Sequence, residues 1–491
     1  MSRDGHSLWY AALRTSVRLS NSATVRSIPM SVETTAAAEE ADRRFVFHPF
    51  TRLDEHERTG SPSMIVTGRG VRVLDIHGRS YIDGMAGLWC VNVGYGRTEL
   101  GDAMREHAGR LGYYHAFSSM GTDTPGLLAE RIVDLAPQGM SKVFFGCTGS
   151  DANDTQVKLV WFYNNVLGRP EKKKIIARDR GYHGVSVMSA GLTGLPGLHT
   201  DFDLPLPMVR HTTAPHRLWE AEPGASDEAF AQKLADDLEA LILAEGPETV
   251  AAFIAEPVMG AGGVLVPPAT YFERIQDVLR RHDVLLIADE VITAFGRLGA
   301  WFGSGLFAVE PDLITVAKGL TSGYFPLSGS IVSDRVWRVL VDGSRGGPFG
   351  HGYTYSAHPL AAAVATANLD LIESEGLLAQ ARERGAQLQA LLREAFDDHP
   401  LVGEVRGTAL IAALEFVASK DPPQPFDPAR KVGARVTRRC LELGLITRAL
   451  PSADTISFSP PLVITEDEVA ELVRIARQAV DEVAAELRRE V

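Results

Sequence analysis

The chain has 491 residues, of which 45% are hydrophobic and 23% charged, the make-up of a folded globular protein with room for about two to four domains. A formal net charge of −13 excludes a nucleic-acid backbone as a natural partner, and no apolar run reaches the roughly 18–20 residues of a membrane span. Cys90, Cys147 and Cys440 stand far apart without a CxxC motif, so a disulfide framework and a zinc knuckle are both excluded; free thiols point to a reducing, cytoplasmic setting.

Residues 1–29 carry Arg3, Arg14, Arg18 and Arg26, several serines and one acid, Asp4. That composition fits either an organellar transit segment or a plain extension ahead of a second start at Met30. The stretch 31–44 is Ala/Glu-rich without a core pattern, so folded sequence is expected from about Phe45. An apolar run at 143–145 precedes the turn Cys147-Thr148-Gly149-Ser150 and a helix over 151–165. Val250–Ala255 reads as a buried strand, and 271–282 as a helix with Phe272, Ile275, Val278 and Leu279 on one face. Further buried strands follow at 284–288, 313–317 and 328–332. Continuous apolar strands separated by helices predict an α/β fold with a mostly parallel sheet covered on both faces. The last quarter changes style, with a helix over 375–396, a strand over 408–416 and a helix over 428–443. A capping box, Thr465 to Glu468, opens a closing helix whose apolar stripe runs from Val469 to Leu487. This part predicts a smaller α+β domain.

In open α/β sheets, ligands bind beyond the carboxyl ends of the strands. Three reactive residues stand there: Glu256 after FIA, Asp289 at the end of VLLIAD, and Lys318 after LITVA. A lysine at the end of a buried strand loses solvation, which lowers its pKa and exposes a nucleophilic amine that can form a Schiff base with a carbonyl. The same lysine can also snorkel to the surface. Asp289 lies one helix-plus-strand unit upstream, and pyridoxal phosphate chemistry uses such a pair: the amine holds the aldehyde carbon and the carboxylate keeps the pyridine nitrogen protonated. A Walker-B magnesium site is the rival use of Asp-Glu, but it needs a GxxxxGK[ST] loop that this chain lacks. Asp289 can also be read as a helix cap. The Cys147–Ser150 turn reads either as an anion site at a helix N-terminus or as an ordinary cap. Tyr182-His183-Gly184 is a polar-aromatic turn able to sandwich a ring.

The blocks FIAEPVMGAGGVLVPP, LLIADEVITAFGRLG and ITVAKGLTSGYFPLSG resemble the class III pyridoxal-phosphate-dependent aminotransferases of fold type I. IDGMAGLWCVNVGYG, GCTGSDANDTQVKLVWFYNN, GYHGVSVMSAGLTGLP and HGYTYSAHPLAAAVA are similar to the ω-amine:pyruvate transaminase branch, and the likeness runs from about His48 to the C-terminus. The resemblance implies a large domain with a mostly parallel seven-stranded sheet and a smaller α+β domain. Its implied divisions are a flexible extension over 1–43, a segment over 44–90 packing with the small domain, a cofactor domain over 91–370 and a small domain over 371–491.

Roles follow from the resemblance. Lys318 matches the Schiff-base lysine that also shuttles the proton, and Asp289 matches the partner of the pyridine nitrogen. Val291 and Tyr182 match residues on the two ring faces, while Gly149 and Ser150 match the phosphate turn. Glu256 matches a carboxylate behind the cofactor, and His183 is a loop hydrogen-bonder beside it. Thr354 matches a phosphate ligand given by the neighbouring subunit, which implies a homodimer or tetramer. Leu88, Trp89 and Tyr114 match walls of the substrate pocket, and Arg448 in GLITRAL matches a mobile arginine that grips the keto acid's carboxylate. The phosphate turn reads Cys-Thr-Gly-Ser-Asp where the branch more often has Asn-Ser-Gly-Ser-Glu, with Cys147 and Cys90 read as packing residues. The implied activity carries an amino group from taurine, β-alanine, a diamine or an aryl-alkyl amine to pyruvate by ping-pong kinetics. An aminomutase or racemase is the alternative on the same scaffold. A ligand sensor would need a DNA-binding module that the chain does not offer.

Overall fold

The most apolar strands of the chain become the middle of its largest sheet, and Glu256, Asp289 and Lys318 stand at the carboxyl ends of three of them. The structure is a computed structural model that describes residues 32–451 and 454–490. The arginine-rich opening at 1–29 lies outside the described residues.

Helix α1 (Val32–Phe45) begins ahead of the start expected near Phe45. Polar ties hold it rather than an apolar stripe, which is why hydrophobic patterning does not reveal it. Glu39 meets His77 at 2.7 Å, and Arg43 Nη1 donates to the Glu57 carbonyl, in helix α2 (Leu53–Thr59), at 2.8 Å. Strands β1 (Ile65–Arg69), β2 (Arg72–Asp75) and β3 (Ser80–Asp83) then form an antiparallel meander.

The large sheet is built from β4 (Met140–Gly146), β5 (Lys174–Arg178), β6 (Val209–Thr212), β7 (Val250–Ala255), β8 (Leu285–Asp289), β9 (Leu313–Val316) and β10 (Ser328–Ser333). Its order is β4-β10-β9-β8-β7-β5-β6. Every residue of β7, β8, β9 and β10 is buried, as a sheet covered on both faces requires. The pairs β6/β5, β5/β7, β7/β8 and β8/β9 are parallel, and β10 alone runs against its neighbours β9 and β4. Helix α3 (Gly149–Val166) follows β4, and α4 (Tyr271–Arg281) links β7 to β8. In α4 the predicted face holds: Phe272, Ile275, Val278 and Leu279 are all buried.

The C-terminal part contains α5 (Pro359–Ser374), α6 (Leu377–Phe396), β11 (Val402–Thr408), β12 (Ile411–Phe416), α7 (Val432–Glu442), β13 (Leu445–Ile446), β14 (Arg448–Ala449), β15 (Thr455–Phe458) and α8 (Glu466–Arg489). Three boundaries differ from the sequence reading, each at a backbone break. Gly376, at φ 64°, separates α5 from α6, so the helix expected from 375 starts at Leu377. The strand expected over 408–416 is a hairpin, because Ala409, at φ 45°, turns the chain between Thr408 and its partner Ile411. Lys431, at φ 49°, cuts the helix expected over 428–443 into a short 3-10 turn and α7. Strands β11, β12, β15 and β14 make an antiparallel sheet, and β13 pairs in parallel with β3 through Leu445 and Ile82.

The capping box of α8 forms as predicted: Glu468 N donates to Thr465 Oγ1 at 3.3 Å, and Thr465 N to Glu468 Oε2 at 3.0 Å. Its apolar stripe, Val469 to Leu487, is buried. The predicted α/β class, with a mostly parallel seven-stranded sheet and a smaller α+β part, is the architecture observed. Among the described residues no helix is long and apolar enough to cross a membrane.

Candidate active site

Glu256, Asp289 and Lys318 lie at or just beyond the carboxyl ends of β7, β8 and β9, three neighbouring parallel strands. Together they border a cavity of about 280 Å³. The turn from Cys147 to Ser150, between β4 and α3, closes one side, and Tyr182 and His183 close another.

Asp289 is 3% exposed. His183 Nδ1 donates to its Oδ2 at 2.7 Å, Asn153 Nδ2 donates to the same oxygen at 2.8 Å, and Val291 N donates to Oδ1 at 3.1 Å. Burial pushes this carboxyl up, but the His183 and Asn153 contacts together hold it below the ordinary aspartate value. It is therefore a buried, ionised acid facing a cavity. The second donor to Asp289, Asn153, is a site residue that sequence reading missed. It stands four positions after Gly149 on α3 and so shares that residue's face, the one signal that points to it. Asn153 Nδ2 also donates to the His183 carbonyl at 2.7 Å, and Thr193 Oγ1 accepts from His183 N at 2.8 Å, which fixes the histidine loop.

Lys318 follows β9 at a φ of 32°, a conformation that a non-glycine residue adopts only where its surroundings enforce it. Burial lowers its amine pKa, and the Asp289 charge partly opposes that shift. Glu256 is raised by burial; its Oε1 accepts from Tyr182 N at 3.1 Å and its Oε2 from Gly260 N at 2.8 Å. The first bond ties the Tyr182 backbone to the end of β7, and the second ties the loop that follows it.

The turn before α3 is organised by a capping box. Asp151 Oδ2 accepts from Cys147 N at 2.9 Å and Thr148 N at 3.0 Å, while Asp151 N donates to Thr148 Oγ1 at 3.2 Å. The first-turn N–H groups of Gly149 and Ser150 are those for which a helix has no internal partner. A Cβ on Gly149 would come within 3.1 Å of the Val291 side chain, a tight approach that would make Val291 give by a few tenths of an ångström. Cys147 lines the cavity, with its thiol pKa pushed up by burial. Cys90 is also half-buried.

Trp89 is 3% exposed and packs in one cluster with Tyr182 and Ile292. The Arg448 guanidinium lies 5.3 Å from the Trp89 ring centre. Burial lowers the Arg448 pKa, partly offset by the neighbouring Tyr182; no carboxylate pairs with Arg448 among the described residues. Leu88, Trp89, Tyr114 and Arg448 are not among the residues that line this chain's cavity; of the expected pocket walls only Tyr182 is. The backbone breaks at Gly87, at φ 66°, leaving Leu88 half exposed while Trp89 turns inward. Tyr114 stacks on His115 with ring centres 4.6 Å apart. Thr354 is exposed and does not line the cavity, and its carbonyl accepts from Tyr113 Oη at 2.6 Å. Thr321, Phe325 and Leu327, in the loop before β10, also line the cavity and were not singled out by sequence.

Residues 55–480 match the family model described as aminotransferase class-III. A diaminobutyrate–2-oxoglutarate transaminase of Halomonas elongata is 51% identical over 454 residues, covering 91% of this chain and 97% of its own length. A transaminase from directed evolution by ancestral reconstruction is 56% identical with a TM-score of 0.90, over 92% of this chain and 99% of that one. The ω-transaminase of Pseudomonas jessenii in complex with PMP is 46% identical with a TM-score of 0.88, over 91% of this chain and 98% of that one.

Proposed function

The chain belongs to the class-III aminotransferases, which depend on pyridoxal phosphate, and from that premise we infer that it carries an amino group from an ω-amine or related amine to pyruvate, yielding an aldehyde or ketone and L-alanine. One observation carries this reading: a buried lysine amine and a buried carboxylate kept ionised border a single cavity at adjacent strand ends.

The residues fit the cofactor on chemical grounds. An ionised acid with three donors behind it suits a protonated ring nitrogen, and the constricted Gly149 turn offers unpaired first-turn N–H groups to a phosphate. When bound, pyridoxal phosphate supplies an aldehyde for the substrate amine and a ring that accepts the electrons left when the α-proton departs. Asp289 would hold the proton on the ring nitrogen. Val291 and Tyr182 would flank the two faces, and Glu256, through Tyr182 N and Gly260 N, would keep that wall in place. Gly149 and Ser150 would bind the phosphate, with Thr354 of a second subunit as a further ligand, so the working unit would be a homodimer or larger. Lys318 Nζ would take the substrate's α-proton as a general base and return it on the opposite side of the transfer. The lowered pKa favours the neutral amine that this step needs.

Arg448 supports the keto-acid half. A guanidinium that lies over Trp89 and has no carboxylate partner among the described residues is available for the two-pronged bond to a keto acid, and the Trp89 face gives it a resting place when an apolar amine enters. Trp89, Leu88 and Tyr114 would then shape the donor side, the last two only once a second subunit closes over them. The free cysteines support a cytoplasmic location.

The test is a panel of taurine, β-alanine, diamines and aryl-alkyl amines against pyruvate, with alanine and carbonyl product quantified together. One alanine per donor consumed is expected. Turnover with 2-oxoglutarate and none with pyruvate would replace the acceptor; no amino transfer from any donor would overturn the reading.

A further inference from the structure

A second set of chemical groups converges outside the cavity lining, where the chain enters the β1–β3 meander. Asp42 on α1, His48 in the loop that follows and His56 on α2 each bring one ligand atom, and these atoms lie within 4.8 Å of one another. Asp42 Oδ2 stands 3.0 Å from His48 Nε2 and accepts from Ser61 Oγ at 2.7 Å. The two imidazoles face each other with centres 4.4 Å apart and planes tilted by 47°.

His56 supplies an independent observation. It is 9% exposed although α2 is otherwise a polar, solvent-facing helix, and its Nε2 is buried with no hydrogen-bond partner. A buried ring nitrogen without a partner loses its water for nothing in return, and such groups are uncommon in native proteins unless something else binds there.

We propose that Asp42, His48 and His56 bind one transition-metal ion of the zinc class, which clasps α1 to α2 ahead of β1. The donor set is two nitrogens and one oxygen. That suits Zn²⁺ and its neighbours and disfavours Ca²⁺ and Mg²⁺, which take shells of oxygen. Ligand atoms around tetrahedral zinc, at about 2.0–2.1 Å from the metal, are roughly 3.3 Å apart. The 3.0 Å between Asp42 and His48 already approaches that edge, and the third ligand atom lies within 4.8 Å of both. Water completes the fourth position. Ser61 orients the carboxylate from behind, as outer partners of zinc ligands do. Each imidazole would ligate through a neutral ring nitrogen.

The experiment uses the full-length, cofactor-loaded protein stripped with a chelator and titrated with ZnCl₂ by calorimetry and with CoCl₂ by visible absorption. One equivalent per chain is expected, with cobalt bands of a four- or five-coordinate site. His56→Gln is expected to weaken binding by about 100-fold or more, and Ser61→Ala by about 10-fold. Should His56→Gln misfold, His48→Gln, on the more exposed ring, decides the same point. Amide exchange across 53–61 should slow on zinc addition in the wild type and not in either histidine variant. No uptake by the wild type, or equal uptake by the histidine variants, overturns the proposal.

Discussion

His183 donates its Nδ1 proton to Asp289 Oδ2 across 2.7 Å, with both side chains withdrawn from solvent. An ionised carboxylate only accepts, so this contact sets the histidine tautomer as well as the charge of the acid. Asn153 bonds to both residues and holds the pair in register.

Removing that support should move a pH limb. The Asp289 carboxyl lies below its ordinary value in the folded protein, so its favourable contribution is present above about pH 3.9 and lost as pH falls through the lowered value. Asn153→Ala takes away one donor and raises that value. The acid limb of kcat/KM should shift to higher pH, with His183→Phe shifting it further, while activity well above the limb falls less than for Asp289→Asn, which should lose about 10²–10³-fold. Superimposable pH profiles would mean that these donors do not set the charge of Asp289.

Lys318→Met should abolish turnover, and it should also change stability with a definite sign. Burial depresses the amine pKa, so in cofactor-free protein the unfolded chain binds the extra proton between the depressed value and about 10.4. Wild-type stability therefore rises with pH through that window. Urea unfolding of the cofactor-free forms should find Lys318→Met the more stable at neutral pH, with the gap closing toward pH 10. A gap independent of pH would contradict a buried, depressed amine.

Arg448→Ala should raise KM for pyruvate by roughly 10- to 100-fold, the worth of a charged hydrogen-bond pair, and leave uncharged aldehyde acceptors within a few-fold of wild type. Steady-state kinetics with matched charged and uncharged acceptors measure the ratio. Equal losses on both would remove carboxylate recognition from Arg448 and leave it a packing role against Trp89.

Thr354 is exposed and does not line the cavity of its own chain, which suits service in a neighbour's site. Mixing Lys318→Ala with Thr354→Ala under conditions that exchange subunits should regenerate part of the wild-type activity, because one heterodimer site then carries both native residues. No recovery after exchange has been shown by mass would argue for a different phosphate ligand.

Much of this was legible in the sequence because the large sheet is covered on both faces. The runs at 250–255 and 313–317 read as buried strands and are so, the second ending one residue earlier at Val316, and Asp289 and Lys318 fell at strand ends, where parallel sheets expose reactive groups. What escaped depends on backbone sign or on distant pairing. Ala409 and Lys431 adopt positive φ without being glycine, so a hairpin read as a strand and a broken helix read as whole. Helix α1 is held by the Glu39–His77 and Arg43–Glu57 contacts, which leave no periodic apolar trace. Asn153 looked like one more polar residue in a helix until the fold placed it against Asp289 from another part of the chain.

The central claim is that the cofactor is carried on Lys318. Reducing pyridoxal-phosphate-loaded protein with borohydride, digesting it and mapping the peptides by mass should put the pyridoxyl label on the peptide containing Lys318, with the visible absorbance lost and Lys318→Met unlabelled. A label on another lysine, or none after loading, would contradict the account.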